Sequence, residues 1–65
     1  MSLVAIDFPT GRFLVLTTRA RSKEAAIRAA RREARSERFR TIDVSSAIEQ
    51  GDGLTWRVEL RVVAR

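Results

Sequence analysis

A chain of 65 residues is one domain at most, and at this size folding buries only ~60% of the surface the unfolded chain exposes, so its own core is marginal and self-association would help it. Cysteine and histidine are both absent, which removes disulfides, thiolate or imidazole metal sites, the commonest general base and the softest nucleophile. Lys and Arg number 13 against 8 Asp and Glu, a net charge of +5, and only Lys23 among the cations is not arginine, so the chain should seek polyanions or acidic surfaces.

In chain order, Ser2 to Phe8 alternates as a strand, with Val4, Ile6 and Phe8 on one face and Leu3, Ala5 and Asp7 on the other. Pro9, Thr10 and Gly11 punctuate it and suit a short hairpin, so Arg12 to Thr18 should return antiparallel. Phe13, Leu14, Val15 and Leu16 make that second strand apolar on both faces, which predicts a strand covered on both sides. Ser22 is a good N-cap, and Glu24 in the first turn suits the helix dipole, so a helix is expected from about Lys23 to Ser36. Ala26, Ile27, Ala30 and Ala34 form its apolar stripe. An alanine stripe lets a helix sit close to a sheet, and the sheet must then supply the bulk.

The third strand, Arg40 to Glu49, is expected to alternate, with Ile42, Val44 and Ile48 inward and Thr41, Asp43, Ser45 and Glu49 outward. Gln50 to Gly53 forms the turn, since two glycines and an aspartate supply the positive φ angles a tight hairpin needs. Leu54 to Ala64 is the fourth strand, with Leu54, Trp56, Val58, Leu60 and Val62 inward. The expected fold class is α+β, a ββαββ chain with one helix packed on a four-stranded antiparallel sheet, in a single domain over residues 1–65. No apolar run approaches the ~20 residues of a membrane span, and the default address is the cytoplasm.

Arg28, Arg31, Arg32, Arg35 and Arg38 fall on the side of the helix away from the alanines and form a positive strip able to track phosphates or an acidic partner surface. The plainer alternative is a solvated helix face in which Glu24 offsets Arg28 and Arg31. Against that, Glu33 and Glu37 lie on the other flank instead of being interleaved. Leu3, Ala5, Phe13 and Val15 are assigned to a second apolar face that the helix would leave open, a candidate homo-oligomer interface. A slip of one residue in that assignment would invert it. Trp56 is read as core, so no stacking platform for sequence-specific readout is expected. Asp7, Asp43, Glu49, Asp52 and Glu59 are not spaced as an acid/base pair, and Asp52 reads as a turn former. No catalytic residue, cofactor site or metal site is expected, and the chain is not read as an enzyme.

From Arg12 onward the pattern resembles the dodecins, small β-α-β-β proteins that assemble into hollow dodecamers and store flavins. The likeness lies in TTRARSKEAAIRAARREA, with Ser22 opening the helix, in IEQGDG, and in the closing LTWRVELRVVAR. It implies a fold and an oligomeric habit. It implies no flavin site, because Arg38 and Phe39 stand where that family's stacking aromatic would lie and Arg57 replaces a ligand-facing glutamine. Three functions are therefore expected. The first is a small basic binding module, homo-oligomeric, whose arginine helix engages nucleic acid or an acidic protein surface. The others are a dodecin-like storage or structural assembly, and a small phage-type regulator or inhibitor of a larger nucleoprotein.

Overall fold

The computed structural model describes residues 2–9 and 11–64. Its elements are β1 (Ser2–Phe8), β2 (Gly11–Arg19), α1 (Lys23–Ser36), β3 (Phe39–Glu49) and β4 (Thr55–Ala64). The four strands form one antiparallel sheet in the order β1-β2-β4-β3, so the chain is the expected α+β fold with ββαββ topology. Strands β1 and β2 pair with Phe8 opposite Gly11; Thr10, assigned to their turn, lies outside the described residues.

The helix starts where its cap chemistry directs. The Ser22 backbone is extended and its hydroxyl accepts from the Ala25 N–H at 3.1 Å, which satisfies a donor of the first turn that has no helical partner. Ala26, Ala30 and Ala34 are fully buried against Leu14, Leu16, Val58, Leu60 and Val62. Five branched side chains from the two central strands thus fill the space that three alanines leave, and burying each contributes about 1.5–3 kcal/mol. The helix lies over β2, β4 and β3 and does not approach β1.

The register corrects three expectations. Directly opposed residues of an antiparallel pair share a face. Leu3 pairs with Leu16 and Ala5 with Leu14, on the helix side, whereas Phe13 pairs with Ile6 and Val15 with Val4, on the open side. The proposed set Leu3, Ala5, Phe13 and Val15 therefore straddles two faces. The open face belongs instead to Val4, Ile6, Phe8, Phe13 and Val15.

Strand β3 does not alternate cleanly. Register shifts between Thr41 and Asp43 and between Val44 and Ser46 each place one extra residue in β3, and a bulge of this kind swaps the faces of the residues after it. Thr41 and Glu49 consequently lie on the helix side, while Ile42 and Ile48 remain 48% and 55% exposed. Leu54 falls before β4 and is exposed, since Asp52 ties up the backbone there.

Candidate functional site

The helix ends at Ser36 with Glu37 as its cap, and Arg38 follows in the left-handed region at φ 65°. Its N–H donates to the Arg35 carbonyl at 3.0 Å. Arg38 is therefore not the last member of a helical stripe, as the periodicity suggested, but the residue that reverses the chain. Only this residue and Glu37 separate α1 from β3, so the first residues of β3 run beside the last two turns of the helix.

That tight connection creates a groove of about 470 Å³ lined by Arg31 and Arg35 from the helix and by Phe39, Arg40, Thr41 and Ile42 from β3. Arg28, Arg31, Arg32 and Arg35 are all exposed, on the side of the helix opposite the buried alanines. The structure thus brings four of the five expected arginines onto the helix surface, keeps Arg38 beside them at the turn, and adds Arg40, which lines the groove's rim from the open face of β3. Arg40, Phe39 and Thr41 were not among the expected site residues. The signal for them was the shortness of the stretch between the helix and the third strand, which leaves room for no loop.

Charge is treated differently on the helix surface and on the sheet. Asp7 accepts from Arg12 and Asp43 accepts from Arg61 at 2.7 Å, so two sheet cations are paired. The guanidinium of Arg12 holds the Asp7 carboxyl below its ordinary range, and the same bond raises Arg12. Arg12 also lies over the Phe39 ring at 5.5 Å. Among the described residues, no carboxylate lies within 4.0 Å of Arg28, Arg31, Arg32, Arg35 or Arg40. Glu24 makes no ion pair within 4.0 Å of Arg28 or Arg31.

The other expected sites resolve plainly. Asp52 accepts from the N–H groups of Leu54 and Thr55, at 2.9 and 2.7 Å, and from the Thr55 hydroxyl at 2.6 Å; these bonds hold its carboxyl down to about 2. It is a turn former. Trp56 packs against the core on the helix side, and its buried indole Nε1–H has no acceptor among the described residues. No cluster of acidic side chains able to hold a metal occurs among the described residues, and no helix is long and apolar enough to cross a membrane.

Comparison with protein-family models, with curated proteins and with solved structures returned no match. The dodecin resemblance accordingly stands on the quoted segments alone.

Proposed function

We propose that this protein is a small binding module that engages nucleic acid through the groove between α1 and the start of β3, without chemistry of its own. One observation carries the reading: Arg31, Arg35 and Arg40, which line the groove, and Arg28 and Arg32 on the same exposed helix face have no carboxylate partner among the described residues, whereas Arg61 on the open face and Arg12, which lies over Phe39 at the groove's edge, do. Surface arginines near acidic residues lose little by pairing. A row left unpaired beside a concave surface concentrates positive potential and attracts a polyanion. Guanidinium forks match phosphate oxygens, and the Thr41 hydroxyl adds a neutral donor at the same wall.

Binding of this kind is governed by phosphate neutralisation and is independent of base sequence. Its signature is an affinity that falls with salt by about −0.9 in log–log slope per phosphate engaged on duplex DNA and about −0.7 on single strands. Fluorescence anisotropy with duplex DNA, single-stranded DNA and RNA across a salt series tests it. Arg31→Ala with Arg35→Ala should lower the slope by about 1.4–1.8, and Arg31→Glu with Arg35→Glu should abolish binding while circular dichroism is unchanged. A folded protein that ignores all three nucleic acids but binds polyglutamate would transfer the groove to an acidic protein surface. A second reading keeps the dodecin resemblance, with the helix arginines at contacts between subunits; the same charge reversal would then break a large assembly.

A further inference from the structure

The open face of the sheet has a definite map. Across β1, β2, β4 and β3, one row reads Ile6, Phe13, Arg61, Asp43 and the next reads Val4, Val15, Glu59, Ser46. These two central rows are apolar over β1 and β2 and polar over β4 and β3, while the flanking rows add Val63 with Arg40 at one end and Thr17, Arg57 and Ile48 at the other. Val4 is 52% and Phe8 49% exposed, far more than branched and aromatic side chains keep in a finished core. Phe8 and Phe13 meet edge to face at 5.2 Å, and beside them a concavity of about 250 Å³ is lined by Phe8, Phe13, Ser45 and Glu59. Arg61 is bonded to Asp43, while half-buried Glu59 has no cationic partner among the described residues.

We propose that this face is the interface of a two-fold homodimer in which a second copy of the chain packs sheet to sheet, with the axis running across the strands between the two rows. Such an axis reverses strand direction and keeps strand order, so each row lies over the partner's other row. Phe13 then faces the partner's Val15, Ile6 faces the partner's Val4, and Arg61 faces the partner's Glu59, every contact occurring twice. The isolated carboxylate gains a guanidinium already oriented by Asp43. An axis along the strands would instead set Ile6 and Val4 against the charged half and leave Glu59 and Arg61 desolvated on apolar groups, which is costly.

Area agrees with a dimer of modest strength. Four strands of 7, 9, 11 and 10 residues outline roughly 30 by 19 Å, or roughly 570 Å² per copy, and roughly 1,100 Å² over both copies is close to the lower bound of specific interfaces. Base stacking on this face is disfavoured, because Phe8 and Phe13 occupy each other and Asp43 and Glu59 stand where phosphates would run. The inference is independent of the arginine groove, and its test contains no nucleic acid.

Sedimentation equilibrium from low micromolar to near-millimolar concentration should show the 7.4 kDa chain doubling in mass. Val4→Glu with Phe8→Glu, at exposed positions, should restore the single-chain mass with unchanged circular dichroism. Glu59→Arg and Arg61→Glu should each be monomeric, since each faces like charges across the axis, and an equimolar mixture of the two should dimerise. A wild-type chain that stays single, a large closed assembly, a folded Val4→Glu, Phe8→Glu variant that still dimerises, or a mixture of folded charge variants that stays apart would each overturn the proposal. Should Arg61→Glu fail to fold, the apolar pair decides alone.

Discussion

On the helix side of the sheet, three alanines lie flush against Leu14, Leu16, Val58, Leu60 and Val62, all nearly inaccessible; on the open side, among the described residues, only Val15 is buried, at 7% exposure, while Val4 and Phe8 stay half exposed. Ion pairs sit on both faces of the sheet, Asp7–Arg12 on the helix side and Asp43–Arg61 on the open side beside an isolated Glu59, whereas the arginines of the helix surface have no partner among the described residues. A 65-residue chain can complete one core from its own residues, with little left over to cover a second face. The buried face thus holds the molecule together, and the two surfaces beyond it are available for contacts.

Removing core on each side should separate these roles most sharply. Leu60→Ala deletes a side chain 1% exposed and should cost about 2–5 kcal/mol, against a total of roughly 3–10 kcal/mol for a domain of this length. Urea denaturation should therefore find its midpoint lowered to roughly half that of the wild type. Val15→Ala should cost less in dilute solution, and the gap between wild type and variant should widen as protein concentration rises. Equal costs that do not depend on concentration would show that the open face is as complete as the helix side.

The same asymmetry explains what could be read from the chain itself. The helix was legible to the residue, because Ser22 caps it and the spacing of Ala26, Ala30 and Ala34 admits only one facing. Strand β4 was legible because its alternation from Trp56 to Val62 is unbroken. Strand β3 was not, since its two bulges arise from pairing with β4 and leave only the Ser45–Ser46 doublet as a trace in the sequence. The open face was misassigned for a related reason: β1 alternates equally well in either facing, and only the pairing of Leu3 with Leu16 fixes it. Of the candidate site, the helix arginines were visible as a periodic pattern, but Arg40 joins them only because Arg38 turns the chain so tightly.

Enlarging the helix seam comes next in size. Ala30→Leu adds bulk at a site 1% exposed and should destabilise by about 1–3 kcal/mol, pushing α1 away from β3 and opening the groove. Nucleic-acid affinity should fall with it, whereas the homodimer should persist, as judged by anisotropy and sedimentation on the same sample.

Arg38 tests the same contrast at a smaller scale. A non-glycine residue at φ 65° carries a steric cost that glycine escapes, partly repaid by the stiffer unfolded chain. Arg38→Gly should therefore stabilise the fold by roughly 0.5–1 kcal/mol in thermal denaturation. If this arginine also meets a phosphate, the salt slope should drop by about 0.9 on duplex DNA, so the variant would gain stability and lose affinity together. A residue kept against its local preference is then explained by what it binds. A variant unchanged in affinity would confine the site to α1 and β3.

Asp52 gives the smallest effect and a control for both faces, because it sits in the β3–β4 turn and touches neither. Its folded carboxyl is held at about 2 against an ordinary 3.8 by the bonds from Leu54 and Thr55. A carboxylate lowered on folding contributes stability that is full above its unfolded value and is lost as pH falls through its folded one. Wild-type stability should thus decline between pH about 4 and about 2, and Asp52→Ala should show a shallower decline, with the remaining slope supplied in part by Asp7, which Arg12 lowers in the same direction. Neither the sedimentation mass nor the salt slope of nucleic-acid binding should change at neutral pH. An identical acid limb in wild type and variant would mean that the turn closes without these bonds, and that the two glycines at positions 51 and 53, both at positive φ, are enough to direct β4 back along β3.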